Sequence, residues 1–133
     1  MGIIPASVLA ACPSMQGLSN EALVQVAAYF QALSEPTRLK ILNLLREGER
    51  KVGDIADSTG YTAANVSRHL TLLTKHGLVA REGRGTSVYY RIADESIYAL
   101  CDLVCGNIAR QFERTARARD AFVGTSGRPA GGD

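Results

Sequence analysis

The sequence predicts a mainly α-helical chain with a small β-hairpin, ordered as a winged helix-turn-helix. Three observations carry that expectation. Residues 52–76 read as two short helices parted by a turn at Gly60 and Tyr61. Residues 79–92 read as two strands around a glycine-rich turn. The second of the two helices has a polar side rich in hydrogen-bonding types, and a helix-turn-helix offers its second helix to the major groove of duplex DNA. Double-stranded DNA is therefore the expected partner.

The elements follow in order. Residues 1–17 show no clear period and are expected to form a flexible arm. Ser19 and Asn20 are good N-caps. After them Leu23, Val26, Ala27, Phe30 and Leu33 recur at three- and four-residue steps, which predicts a helix with one apolar face. Pro36 suits the first turn of a second helix. Leu39, Ile41, Leu42, Leu44 and Leu45 make that helix apolar on most sides and so central, and Gly48 is placed to end it. A short helix is expected from Val52 to Ser58. Thr62 can cap the next one, whose buried seam is Val66, Leu70 and Leu73, with His76 and Gly77 closing it. The hairpin strands are expected over Val79–Glu82 and Ser87–Ile92, where Val88, Tyr90 and Ile92 alternate with Tyr89 and Arg91. A last helix runs from Asp94 or Glu95 to about Phe122, with a stripe of Ile97, Leu100, Cys101, Val104, Ile108 and Phe112. The expected domain thus spans residues 18–122, and the Gly- and Pro-rich stretch 123–133 reads as a disordered tail.

Composition narrows the class. The 133 residues carry a net charge of +2, with 46% hydrophobic and 21% charged residues, the balance of an ordinary globular domain. The small net charge leaves the placement of the cations to decide what they bind. No apolar run is long enough to span a membrane. Leu9-Ala10-Ala11-Cys12 looks like a lipoprotein cleavage site, but no basic residue precedes it and Pro5 interrupts a short apolar stretch. A cytoplasmic protein is expected, with its three cysteines as reduced thiols.

With Leu70 and Leu73 turned to the core, Thr62, Asn65, Ser67 and Arg68 face solvent or DNA. Asn pairs with adenine and Arg with guanine through two bonds each, and Ser and Thr bond bases or phosphates. Lys75, Arg81, Arg84 and Arg91 add positive charge nearby, Arg84 between two glycines at the hairpin tip. Each residue alone fits a solvated helix face; the set in this order points to DNA. His69 is open to two readings, a phosphate contact or a partly buried residue hydrogen-bonded inside the motif. His76 sits at a helix C-terminus, where the dipole favours a cation. Neither histidine is expected to be a metal ligand. Both histidines lie in the DNA motif, so no catalytic base can be set beside a cysteine nucleophile, and an enzyme is not expected.

The chain resembles the ArsR/SmtB winged-helix repressors. The resemblance rests on Leu33-Ser34-Glu35-Pro36-Thr37-Arg38-Leu39-Lys40-Ile41-Leu42, on Asn65-Val66-Ser67-Arg68-His69-Leu70, on Leu73-Thr74-Lys75-His76-Gly77-Leu78-Val79 and on the Gly-Arg-Gly wing ending in Tyr89-Tyr90. It covers about residues 20–115. It implies a homodimer with the first and last helices at the interface, a palindromic operator, and repression relieved by an inducer.

Two sensing sites known in that family are absent here. Residues 50–56 read Arg-Lys-Val-Gly-Asp-Ile-Ala, without a Cys-x-Cys pair, and residues 94–122 hold no His for zinc. What remains is Cys101-Asp102-Leu103-Val104-Cys105. Four-residue spacing sets both cysteines on one helix face, about 5–6 Å apart at Cβ, and soft sulfur ligands select soft ions. Arsenite or antimonite is the leading inducer; such ions favour three sulfurs, and Cys12, from the partner chain if the N-terminal arm crosses the dimer, is the candidate third ligand. Zinc or cadmium fits less well for want of a fourth ligand. A redox or persulfide switch on the same cysteines is the main alternative. Two others are plain core packing of the cysteines and a repressor governed by a protein partner without a thiol inducer. No cofactor is expected to be required.

Overall fold

The computed structural model describes residues 14–124, and Cys12 lies outside them. A 3-10 turn at Met15–Gly17 comes first. The described helices are α1 (Asn20–Ala32), α2 (Pro36–Leu45), α3 (Val52–Thr59), α4 (Ala63–Lys75) and α5 (Ser96–Gly124); the strands are β1 (Arg50–Lys51), β2 (Val79–Arg84) and β3 (Ser87–Ile92). The chain divides into two compact units between Glu95 and Ser96. The first holds α1 to α4 and the sheet, and the second holds α5.

Local chemistry sets the helix ends. The Ser19 hydroxyl accepts from the Ala22 amide at 3.2 Å and opens α1. Glu35 caps α2 by accepting from the Thr37 amide at 3.2 Å, with Pro36 in the first turn. The α1 C-terminus, whose last carbonyls have no partner in their own helix, is held by Arg38. Its Nε donates to the Ala32 carbonyl at 2.6 Å and its Nη2 to the Gln31 carbonyl at 3.2 Å. Gly60 ends α3 at φ 80°, a left-handed conformation that glycine adopts without a Cβ clash. Thr62 then caps α4, accepting from the Asn65 amide at 3.1 Å, as its position predicts.

The core of the first unit is formed by Ile41, Leu42 and Leu45 of α2, Ile55 of α3, Val66, Leu70 and Leu73 of α4, and Leu78, Val79 and Tyr90. The expected seam of α4 is therefore the one observed. Removing a buried leucine side chain from such a seam costs about 2–5 kcal/mol, so this packing fixes which face α4 turns outward. α1 departs from expectation. Leu23, Val26 and Leu33 are only half-buried, Ala27 and Phe30 are exposed, and Ala32 is the buried residue. Within α2, Leu39 is exposed, so that helix is apolar on fewer sides in practice than its sequence predicts, and it ends at Leu45, ahead of Gly48.

The sheet adds a strand that the sequence does not predict. β1 pairs antiparallel with β3 in the order β1-β3-β2, with Arg50 opposite Tyr90 and Lys51 opposite Tyr89. β2 runs two residues beyond its expected end, to Arg84, which pairs with Ser87. The turn is thus Gly85-Thr86, and Gly85 takes φ 61° at the first central position, where a two-residue hairpin of type II′ needs positive φ.

Candidate nucleic-acid interface

The outward side of α4 begins at its cap. Val66, Leu70 and Leu73 are fully buried, and Ala63, Ala64, Ser67, Arg68, Thr71 and Lys75 are exposed on the other side. Arg68 Nη2 donates to Asn65 Oδ1 at 2.9 Å. The Asn65 backbone amide is itself held by Thr62, so Thr62, Asn65 and Arg68 form one hydrogen-bonded group over the first turns of α4. Such a group is pre-oriented, which lowers the entropy lost when side chains engage a base edge. Ser67 is exposed, and its carbonyl accepts from Thr71 Oγ1 at 2.9 Å. Lys75 stands two turns beyond Arg68, in the last turn.

The wing carries the remaining expected cations. Arg81 and Arg91 are exposed on β2 and β3. Arg84 ends β2 and is already engaged. Its guanidinium donates to both Glu49 oxygens, at 2.6 and 2.8 Å, and to both Glu82 oxygens, at 3.1 and 3.3 Å. It also lies 4.6 Å from the centre of the Tyr89 ring. The hydrogen bonds to Glu49, and then to Glu82, hold the guanidinium proton well above the ordinary arginine range, and Arg84 in turn holds the Glu82 carboxyl below its usual value. Glu49 is 35 residues from Arg84 and was not legible as a partner. Any contact of Arg84 with a phosphate has to exchange against these carboxylates.

His69 takes the second of its two readings. It is half-buried, with Nδ1 3.3 Å from Arg38 Nη1 and Nε2 3.5 Å from Glu35 Oε2. Arg38 has only hydrogens to offer, so Nδ1 must accept and the ring proton sits on Nε2, facing the carboxylate. Burial, followed by the charges of Arg38 and Arg68, lowers the pKa of His69 from its ordinary value, against the pull of Glu35. Burial raises the Glu35 carboxyl, but the hydrogen bonds from Thr37 and the charges of His69 and Arg38 more than offset it, and the net shift is downward. The Arg38–His69–Glu35 group ties α4 to the corner between α1 and α2.

Comparison with known proteins settles the family. A family described as "Bacterial regulatory protein, arsR family" matches residues 35–81. The transcriptional regulator NmtR of Mycobacterium tuberculosis is 39% identical over 85 residues, covering 64% of this chain and 71% of that protein. The chain belongs to the ArsR family. Among solved structures, this ArsR-family chain is similar to the homodimeric winged helix-turn-helix DNA-binding domain of Mb0332 from Mycobacterium bovis. The TM-score is 0.64 and the identity 40%, over 75% of this chain and 95% of that one. It is also similar to AntR, an antimony-specific transcriptional repressor, with a TM-score of 0.62 and 26% identity over 77% of this chain and 96% of that one. Another curated relative, 45% identical, is much longer, and this chain spans 36% of it.

The cysteines of the ArsR-family chain lie in the second unit. Cys101 is half-buried and Cys105 exposed, and neither is in a disulfide. One helical turn separates them on α5, as their spacing predicts. Among the described residues no group of three or more His, Cys, Asp and Glu is placed to hold a metal ion. The described part of one chain therefore offers two sulfurs, and a third ligand has to come from Cys12 or from a partner chain. Both thiols adjoin apolar surface. Val104 is 47% exposed, Ile108 45% and Phe112 73%, so of the expected stripe of α5 only Ile97 is buried, while Leu100 and Cys101 are half-buried. Among the described residues no helix is long and apolar enough to cross a membrane.

Proposed function

We infer that this ArsR-family chain is a homodimeric transcriptional repressor. It acts in the cytoplasm and binds a palindromic operator through α4 and the wing. A thiophilic metalloid, arsenite or antimonite, releases it on binding at Cys101 and Cys105, with Cys12 the candidate third ligand. Thr62, Asn65, Ser67 and Arg68 meet base edges and nearby phosphates, and Lys75, Arg81 and Arg84 meet the backbone. The observation that carries the DNA half is the Thr62–Asn65–Arg68 group on the outward face of a helix whose opposite seam is fully buried. Mb0332 supports the dimer, and the apolar stripe left exposed along α5 is the surface a second copy would cover. AntR supports an inducer from the same group of elements. Residues 18–122 are the working domain, and Cys12 lies in the stretch of chain ahead of it.

Release follows from linkage. The inducer must bind more tightly to a form of the dimer whose two α4 helices no longer match the operator, and the ratio of affinities for the two forms sets the loss of DNA binding. Native mass spectrometry with antimonite and arsenite tests the site. One metalloid per protomer with three thiol protons displaced is the expected product if Cys12 joins, and Cys12→Ser then weakens the adduct strongly. Two protons displaced and an indifferent Cys12→Ser would mean a two-sulfur site. No adduct with either ion would remove the metalloid reading and leave the redox or persulfide switch. That alternative draws on the exposure of Cys105, although a direct disulfide at this spacing is awkward, since bridged Cβ atoms approach to about 3.8 Å.

A further inference from the structure

A cleft of about 340 Å³ lies along the outward flank of α4, lined by Arg38, Arg68, His69, Thr71, Leu72 and Lys75. Positions 68, 71, 72 and 75 follow one another at helical steps, so one face of α4 forms a wall. Arg38 of α2 approaches from the other side, fixed by the α1 carbonyls and by His69. Three permanent cations meet here. The only carboxylate against them among the described contacts is Glu35, 3.9 Å from Arg38 Nη1, which leaves two positive charges uncompensated. The donors are available too. Arg38 uses one hydrogen on each of its three nitrogens for the contacts above, so Nη1 and Nη2 each keep another. Arg68 donates to Asn65 from Nη2 only.

We propose that this cleft is an oxyanion subsite that takes a backbone phosphate of the bound DNA, held jointly by Arg68 and Lys75 with Arg38 behind them. The proposal rests on the DNA-binding reading and adds to it a fixed point of register. The cleft continues from the Thr62–Asn65–Arg68 group toward the end of the same helix. A helix that meets base edges with its first turns carries its later turns past the strand that flanks the groove. Phosphate contacts at such points set the orientation in which the bases are read. Arg68 then stands at the border, reaching a base edge or this phosphate, and Arg38 belongs to the binding surface although it sits in α2. A small free oxyanion has the same chemistry and is the rival occupant.

The test uses the full-length protein and two measurements. The first is the salt dependence of binding to a random-sequence duplex for Arg68→Gln, Lys75→Gln and the double variant. Each single change is expected to lower the slope by about 1 per protomer. The double is expected to lower it by clearly less than the sum, because both side chains hold the same group. Additive losses would mean two separate phosphates and would overturn the shared site, as would an unchanged slope for Lys75→Gln. The second follows the His69 ring resonances while inorganic phosphate is added to the free protein. They are expected to stay put at millimolar phosphate and to move on addition of DNA. Saturable movement with phosphate alone would assign the cleft to a free oxyanion and overturn the DNA assignment. If the wild-type protein fails to bind any duplex, the repressor reading falls, and the phosphate titration still decides what the cleft holds.

Discussion

The unit that ends at Glu95 and the helix that follows it are opposite in character. In the first, α4 is fixed from behind by three fully buried residues and from in front by a cap, and several side chains of the unit are held by polar partners: Arg68 by Asn65, His69 by Arg38 and Glu35, and Arg84 of β2 by Glu49 and Glu82. In α5, apolar side chains stand exposed over most of the length, and two thiols sit among them. A surface that must present donors to a rigid duplex gains from pre-orientation. The proposed function has the second surface complete only with a second copy and an ion. Under the proposed function the contrast separates reading from sensing, and each half can be broken alone.

The largest effect is expected at the seam. Leu70→Ala should destabilise the fold by about 2–5 kcal/mol, seen as a lower urea midpoint, because Leu70 is fully buried. A change within experimental error would mean that α4 is not anchored by its seam. Next, Phe112→Asp places a charge on the exposed stripe of α5. The protein should sediment as a monomer and lose operator affinity on the order of 100-fold, since two half-sites no longer act together, and its thermal transition should fall as the dimer contacts are lost. A dimer that persists would move the interface elsewhere. Arg68→Ala should cost operator binding about 1–3 kcal/mol if the residue reads a base; an equal loss on all sequences would make it a phosphate contact.

Smaller effects probe the wing and the histidine. Glu49→Gln should tighten nonspecific DNA binding slightly, because it weakens one of the two carboxylate holds on Arg84 and removes a negative charge. Arg84→Ala should do the reverse and lower the salt slope by about 1 per protomer. Unchanged affinity in both would place the Arg84 contacts outside DNA binding. For His69, whose pKa is lowered from 6.5 in the fold, the unfolded chain takes up a proton first as the pH falls. Stability should therefore decline as the pH drops below about 6.5 toward the lowered folded value. His69→Gln, which can still donate to Glu35 and accept from Arg38, should flatten that decline. An identical pH profile would assign it to other groups.

Much of the reading half was legible because its signals are local. Thr62 stands three residues before the amide it caps, and Val66, Leu70 and Leu73 recur at helical spacing. The same holds for the one-turn spacing of Cys101 and Cys105 on α5. What escaped depends on contacts between distant segments. β1 is two residues long and exists because β3 is beside it. Arg84 meets Glu49 across 35 residues and Arg38 meets His69 across 31, and neither distance leaves a periodic trace. The apolar stripe of α5 was legible as a stripe, but periodicity cannot tell whether its cover comes from the same chain or from another.

The central claim is that DNA is read by one unit and release is governed from the other. It is tested most directly by the operator affinity of the Cys101→Ser, Cys105→Ser double variant, measured with and without antimonite. The expected result is wild-type affinity without the ion and no loss of binding with it, while the wild type is released. Normal release of the double variant by antimonite would contradict the claim.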